Sequence, residues 1–256
     1  MTHGQPEQPP DGPAGAGAGA SLAIVCPMAN EGSRGAGFAA AVLEQCAGIA
    51  NVRFFAILDL ASRDNSLDMM RALEARESRL TVVWAPENRC VVDAYVCGYR
   101  HALETGFDWI LEIDAGFSHR PEEIAQFLEA MRQGRDCVFG SRFMKGGAIV
   151  NSPLSRRLVS RGGTILANLL LGTRQTDMTS GFELFTNQTL RMVLDRGIQS
   201  RAHFFQTEIK AYCRNLNFVE VPIRYEAASP GLSGPALADS FRHLWRLTRM
   251  RMKGEL

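Results

Sequence analysis

The 256-residue sequence lacks the cysteine spacing of a zinc site, because none of its six cysteines forms a Cys-x-x-Cys pair. Several of the cysteines lie inside apolar segments, which favours reduced, buried thiols over a disulfide framework. We therefore expect a cytosolic protein.

The sequence also lacks a hydrophobic segment of membrane-spanning length, which requires about 20 apolar residues. The best candidate, residues 165–171, is far shorter. Residues 1–20 are rich in Gly, Pro and Ala and have no apolar centre, so they do not resemble a signal peptide and are expected to form a disordered tail. We expect a soluble protein, or one bound peripherally at the cytoplasmic face of a membrane.

A large excess of one charge is absent as well. The sequence has 28 Lys and Arg against 27 Asp and Glu, a formal net charge of +1. A dedicated nucleic-acid-binding protein normally carries a strong basic excess, so no nucleic-acid partner is expected. The length and the 46% hydrophobic content suit one globular domain of α/β size.

Apolar segments and segments of helical periodicity alternate in the first half of the chain. The pattern predicts strands over 21–27, 52–59, 80–84 and 109–113, separated by helices over 38–46, 66–77 and 91–103. Such alternation is typical of a parallel sheet with right-handed crossovers. The predicted fold class is α/β, a mostly parallel central sheet flanked by helices in a single domain.

The second half is less regular. The pattern predicts helices over 121–132, 154–171 and 204–216, strands over 136–141 and 218–225, and a polar turn that runs into a strand within 176–185. Gly172 is expected to end the helix over 154–171.

Two predicted strands end in a carboxylate, at Asp59 and at Asp114. In an open α/β sheet, ligands bind outside the carboxyl ends of the strands. Paired acids at that edge suggest contacts with ribose hydroxyls or with a metal-bound phosphate. The alternative is that each carboxylate only satisfies a nearby turn amide or caps a helix. For Asp114, the helix that begins at Pro121 starts too far downstream for a cap.

The C-terminal segment 239–252 predicts a cationic amphipathic helix. We place Phe241, Leu244, Trp245, Thr248 and Met252 on one face, and the other face carries arginines. A helix of this kind could lie on an anionic membrane surface. It could equally be docked on the domain with a solvated polar face. The expected organisation is a tail over 1–20, a domain over 21–236 and this helix within 237–256.

Several motifs follow one another in a fixed order along the chain. They are Pro27-Met28-Ala29-Asn30-Glu31, Asp59-Leu60-Ala61-Ser62-Arg63-Asp64, Asp114-Ala115-Gly116-Phe117-Ser118-His119, Gly140-Ser141-Arg142-Phe143, Asp177-Met178-Thr179-Ser180-Gly181-Phe182, Phe205-Gln206-Thr207-Glu208 and Glu220-Val221-Pro222-Ile223. From Leu22 to about Tyr225, the chain resembles the family-2 glycosyltransferases of GT-A fold. The resemblance is strongest to the dolichol-phosphate-mannose-synthase-like branch, whose acceptors are polyprenyl phosphates.

The resemblance implies inverting transfer of a sugar from a nucleotide-diphosphate sugar to an acceptor, which could be a lipid phosphate. It implies Mg²⁺ or Mn²⁺ as cofactor, with Asp114 as metal ligand. Asp114 and Asp177 would be catalytic, with Asp177 near the acceptor as a base if the acceptor is a hydroxyl. The substrate-binding residues that the resemblance implies are Pro27, Asn30, Glu31, Asp59, Ser62, Asp64, Asp114, Arg142, Arg156, Ser180, Gln206 and Glu208.

The sequence departs from the family pattern at several positions. The second Asp of the family's D-x-D motif is Gly116, and the second Asp of its D-D-G-S motif is Leu60. The glycine-rich loop is replaced by residues 88–94, where Asp93 is a candidate substitute metal ligand, and residues 226–234 lack the family's Arg and Lys. These losses leave an alternative function open: a catalytically impaired sugar-nucleotide-binding or scaffold protein of the same fold.

Overall fold

The computed structural model describes residues 19–226 and 234–256. The strands are β1 Leu22–Pro27, β2 Val52–Leu58, β3 Leu80–Trp84, β4 Trp109–Glu112, β5 Cys137–Ser141, β6 Ala148–Val150, β7 Glu183–Thr186, β8 Phe218–Pro222 and β9 Arg224–Glu226. The helices are α1 Gly32–Gln45, α2 Ser66–Glu74, α3 Val91–Glu104, α4 Ile124–Met131, α5 Leu154–Leu171, α6 Asn187–Arg196, α7 Phe205–Tyr212 and α8 Gly234–Met252, with a 3₁₀ turn over Pro121–Glu123 before α4.

Seven strands form the main sheet in the order β3-β2-β1-β4-β7-β5-β8. β1 pairs in parallel with β2 and β4, and β2 pairs in parallel with β3. β7 is antiparallel to both of its neighbours, whereas β5 and β8 are parallel. The carboxyl ends of β1, β2 and β4 therefore meet at one edge, and the short β6–β9 ribbon forms a second sheet.

The central strands are buried on both faces, as the continuous apolar segments predict. Leu22, Ile24 and Cys26 of β1 pack in one core cluster with α1 and α4. Ala23 and Val25 of the same strand pack in the other with α3 and α7. This two-faced burial confirms the predicted α/β fold class.

Two differences from the predicted elements have physical causes. Helix α1 begins at Gly32 rather than at Phe38, because the Ser66 hydroxyl accepts the amide protons of Glu31 and Gly32, each at 2.8 Å. These hydrogen bonds come from the first residue of α2, far along the chain, and have no local signal. The predicted strand over 218–225 divides at Ile223, where the chain leaves the main sheet to pair with β6. Helix α6 was not predicted.

The C-terminal helix begins at Gly234 and packs against α5 and α7. Our assignment of its faces is partly wrong. Leu244 and Thr248 are buried against the domain, whereas Phe241 and Trp245 are 58% and 56% exposed. The predicted tail over 1–20 lies outside the described residues except for its last two positions. Among the described residues, no helix has the length and apolarity to cross a membrane.

Candidate active site

Hydrogen bonds from side chains of each loop join the loop after β1 to the loop after β2. Asn30, whose backbone φ is 59°, donates from Nδ2 to the carbonyl of Ala61 at 2.9 Å and accepts the Arg63 amide proton at 2.9 Å. The Asn30 amide in turn donates to Ser62 Oγ at 3.4 Å. Pro27 ends β1 opposite Ile57 of β2. These residues build one wall of the cleft at the sheet edge.

The carboxylates of the β2–α2 loop are partly occupied by their own turn. Asp59 Oδ1 accepts the Ala61 amide proton at 2.8 Å, and Asp64 Oδ1 accepts that of Ser66 at 3.0 Å. Hydrogen bonds from Ser66 lower the pKa of Asp64. Both residues thus shape the turn, as the structural alternative predicts, and their predicted contacts with substrate remain predictions.

Asp114 follows β4 at the same edge and caps no helix. The hydroxyl of Tyr95 on α3 donates to its Oδ1, and His119 Nε2 lies 3.4 Å from its Oδ2. Burial opposes ionisation of Asp114, but the hydrogen bonds from His119 and Tyr95 and the charge of His119 outweigh it and lower its pKa. Its side chain is 43% exposed. Asp114 is therefore a fixed, ionised carboxylate that is open to the cleft.

His119 is a buried residue beside Asp114. Its ring is 1% exposed and lies between Phe182 and Tyr225, at centroid distances of 5.0 and 5.1 Å. The imidazole holds the Asp114 loop against these rings.

Arg142 and Asp177 form a buried, bidentate ion pair. Arg142 Nε lies 2.7 Å from Asp177 Oδ2, and Nη2 lies 2.8 Å from Oδ1. Burial raises the pKa of Asp177, but the charge of and hydrogen bonds from Arg142 outweigh it and lower the pKa to about 2. Asp177 is completely buried. In this geometry the carboxylate orients the guanidinium, and its role as a base remains a prediction.

Helix α5 touches this ion pair through Ser160, whose hydroxyl accepts from Arg142 Nη2 at 3.2 Å and lies 2.7 Å from Thr179 Oγ1. Arg156 precedes Ser160 by four residues and so lies on the same helix face. The predicted contact of Arg156 with substrate remains a prediction. Burial lowers the pKa of Arg142, but the charge of and hydrogen bonds with Asp177, with a smaller contribution from the charge of Asp114, outweigh it and raise the pKa.

A layer of buried charge beneath the cleft was not predicted from the sequence. Glu112 and Glu183 face each other across β4 and β7, and both are completely buried. Lys210 Nζ lies 2.9 Å from Glu183 Oε1 and donates to the Ser180 carbonyl at 2.7 Å. Burial raises the pKa of Glu183 to about 7, and burial with the neighbouring Glu183 raises that of Glu112. The only sequence signal is a pair of acids in otherwise apolar strands.

Three predicted site residues contact this layer or lie beyond it. Gln206 donates to Glu112, and Ser180 is almost completely buried. Glu208 accepts the Ser200 amide proton at 2.9 Å and pairs with Arg246 of α8. Glu208 therefore fastens the C-terminal helix, and its predicted contact with substrate remains untested.

No group of three or more His, Cys, Asp or Glu side chains that could hold a metal ion occurs within 19–226 and 234–256. Asp93, a candidate substitute ligand, pairs instead with Arg201 at 2.7 Å. The part of the downstream motif over 227–233 lies outside the described residues. Any cation at the cleft therefore depends on few protein ligands.

The sheet is covered on both faces and carries Asp114 where β4 lies between a parallel and an antiparallel neighbour, at the edge where ligands of open α/β folds bind. Residues 23–194 match the model of the glycosyl transferase family 2, and the chain belongs to this family. The chain is therefore a glycosyltransferase, and the alternative of an impaired binding protein is not favoured.

Two curated relatives show which branch the chain resembles. It is 32% identical to an undecaprenyl-phosphate mannosyltransferase of Micrococcus luteus over 74% of this chain and 80% of that protein. It is 28% identical to a polyprenol monophosphomannose synthase of Mycolicibacterium smegmatis over 64% of this chain and 62% of that protein, which is less than two thirds of its length. The resemblance to the polyprenol-phosphate branch is thereby confirmed.

The fold is shared with a solved enzyme. Glucosyl-3-phosphoglycerate synthase from Mycobacterium tuberculosis, solved with Mn²⁺, UDP and phosphoglyceric acid, matches with a TM-score of 0.63 and 14% identity. The match covers 91% of this chain and 78% of that one. At this identity the likeness establishes the fold.

Proposed function

We propose that this glycosyltransferase moves a hexose, with inversion, from a nucleotide-diphosphate sugar to the phosphate of a polyprenyl phosphate. A phosphate oxygen attacks the anomeric carbon, the bond from that carbon to the diphosphate breaks, and the nucleoside diphosphate leaves with the electron pair. The observation that carries the acceptor class is the 32% identity to an undecaprenyl-phosphate mannosyltransferase across most of both chains.

The nucleotide lies, in this proposal, against the joined loops after β1 and β2. Asn30 and Ser62 hold those loops together, and Asp59 keeps a carboxylate oxygen for ribose hydroxyls. A carboxylate at the end of a parallel strand commonly accepts hydrogen bonds from ribose.

A divalent cation, Mg²⁺ or Mn²⁺, fits the exposed oxygen donors of the cleft. Asp114 would hold it, because its carboxylate is ionised and 43% exposed. Oxygen ligands suit both ions, and Mg²⁺ is usually held by one or two carboxylates with substrate phosphates. The cation would supply charge neutralisation for the departing diphosphate.

The acceptor phosphate would meet the cationic side of the cleft. Arg142 is held in a fixed orientation by Asp177, and Arg156 lies one turn before Ser160, which contacts Arg142, on α5. A guanidinium fixed in this way binds a phosphate with little further loss of entropy. A phosphate is already anionic, so Asp177 would position Arg142 and would not abstract a proton.

An exposed apolar surface suits a lipid acceptor. On α5, Leu154, Leu158, Ile165 and Leu169 are 62–73% exposed, and Phe241, Trp245 and Met252 of α8 are 56–78% exposed. We call these seven residues the α5–α8 surface. The two helices are clamped together by Arg251, which donates to the carbonyls of Leu169 and Leu170 at 3.0 and 2.9 Å.

Apolar side chains flanked by arginines on a helix favour the surface of an anionic bilayer. We therefore propose that the α5–α8 surface rests on the membrane that contains the acceptor, at its cytoplasmic face. Leu169→Asp and Trp245→Asp should release the protein from sedimenting vesicles of phosphatidylglycerol. Val91→Asp, which also replaces an exposed apolar residue, is the control. Unchanged sedimentation of both variants would contradict membrane docking.

The experiment that tests the function is a transfer assay with UDP- and GDP-sugars and two acceptors. Undecaprenyl phosphate should become glycosylated, whereas phosphoglyceric acid should not. Transfer to phosphoglyceric acid alone would overturn the proposed acceptor class and leave the enzyme class intact.

A further inference from the structure

The space beside Gly116 is already occupied by a carboxylate from another loop. Gly116 follows Asp114 by two residues and has a backbone φ of +81°. A Cβ atom placed on Gly116 would lie 2.9 Å from Glu31 Oε2 and 3.1 Å from Glu31 Oε1. Such distances are closer than van der Waals contact. The glycine therefore lets the Glu31 carboxylate approach to where a side chain at position 116 would begin.

The backbone of the Glu31 loop is anchored by two hydrogen bonds. Its backbone amide donates to Ser66 Oγ at 2.8 Å, which anchors the start of α1. Arg34, one turn further along α1, donates from Nη2 to the Gly116 carbonyl at 3.1 Å. The two loops are thus joined directly at the point where Glu31 meets Gly116, and the approach is a built contact between them.

The Glu31 carboxylate itself has no hydrogen bond or ion pair with any residue of 19–226 or 234–256, although the residue is half-buried. Asp114, whose side chain is 43% exposed, precedes Gly116 by two residues, so both carboxylates belong to loops that contact each other at Gly116. A half-buried carboxylate without a protein partner, on a loop that contacts the Asp114 loop, would be stabilised by a bound cation.

We propose that Glu31 supplies the second protein carboxylate to a divalent cation held by Asp114, in place of the side chain that Gly116 lacks. Two carboxylates from different loops would hold the cation, and the diphosphate oxygens and water would supply its remaining ligands. The inference rests on the proposed function, because the donor's diphosphate supplies the remaining ligands. It assigns Glu31 to the cation, whereas the family resemblance placed it in the nucleotide pocket.

The test measures Mn²⁺ binding directly, from the electron paramagnetic resonance signal of free Mn²⁺, with saturating UDP or GDP. Glu31→Gln should weaken Mn²⁺ binding by about tenfold or more, since even outer-shell changes at metal sites cost about 10–100-fold. Glu44→Gln, an exposed position on the same helix α1, should bind Mn²⁺ like the wild type. Equal Mn²⁺ affinity in Glu31→Gln and the wild type would overturn the proposal.

A second variant moves the carboxylate to the other loop. In Glu31→Ala/Gly116→Asp, the alanine clears the space and the aspartate restores a carboxylate, and Asp tolerates a positive φ better than most residues. Mn²⁺ binding should recover relative to Glu31→Ala alone, whereas Gly116→Asp in the presence of Glu31 should not improve it. Failure to recover, with nucleotide binding retained, would count against the proposal. Failure of the proposed function would instead appear as absence of sugar transfer by the wild type.

Discussion

Replacing Asp177 with Asn tests whether this residue positions Arg142 or acts as a base. The substitution removes the negative charge that faces a guanidinium whose side chain is only 9% exposed. Breaking one partner of a buried ion pair costs about 3–5 kcal/mol, because the other charge stays buried without compensation. For a chain of this size, each kcal/mol lowers the midpoint by about 2–4 °C, so we expect the melting temperature to fall by about 10 °C.

The assay combines thermal unfolding with a pH–rate profile measured well below the melting temperature. Asp195→Asn, an exposed substitution of the same chemistry on α6, is the control and should leave the melting temperature unchanged. Arg142→Met/Asp177→Leu should recover stability without recovering transfer, because it removes both charges. A carboxylate with a pKa of about 2 is ionised throughout pH 5–9, so it should give no acidic limb in that range. An acidic limb that disappears in Asp177→Asn, with normal stability, would refute the positioning role.

Three further predictions concern the buried charges. Lys210→Met should lower the free energy of unfolding, measured by urea denaturation, by about 3 kcal/mol at pH 8, because it leaves the buried Glu183 carboxylate without its partner. The loss should be smaller at pH 5, where Glu183 is protonated, and an equal loss at both pH values would contradict this prediction. The folded-state pKa of Glu183 is raised from 4.5 to about 7, so its protonation stabilises the fold fully below pH 4.5, and this stabilisation is lost as the pH rises through 7. The free energy of unfolding of the wild type should therefore fall by about 3 kcal/mol between pH 4.5 and pH 7, and that of Glu183→Gln should not. Arg246→Met should expose α8 to proteolysis, since Arg246 pairs with the buried Glu208; protection equal to the wild type would argue that Leu244 and Leu247 alone hold the helix.

Several elements of the fold follow from local sequence patterns. The strand over Leu80–Trp84 and the helix over Leu154–Leu171 were predicted with the bounds that the structure has. Gly172, at a φ of +68°, ends that helix as expected. Such elements are predictable because apolar periodicity and a helix-ending glycine act over a few neighbouring residues.

The parts that were missed depend on contacts between distant residues. The cap of α1 comes from Ser66, and the antiparallel insertion of β7 between β4 and β5 joins strands far apart in sequence. Likewise, the pairing of Lys210 with Glu183 needs α7 to pack beneath β7. The sequence showed that Gly116 offers no ligand, but only the fold shows Glu31 lying over it.

The central claim is sugar transfer to a polyprenyl phosphate at the Asp114 cleft. The most direct measurement incubates GDP-mannose and undecaprenyl phosphate in detergent or vesicles with the protein, and follows the lipid product by mass spectrometry. We expect a lipid whose mass increases by one hexose with the wild type and Mn²⁺ or Mg²⁺, and none with Asp114→Ala. An Asp114→Ala variant as active as the wild type would contradict the account, as would a wild type that binds the donors but forms no glycolipid from any of them.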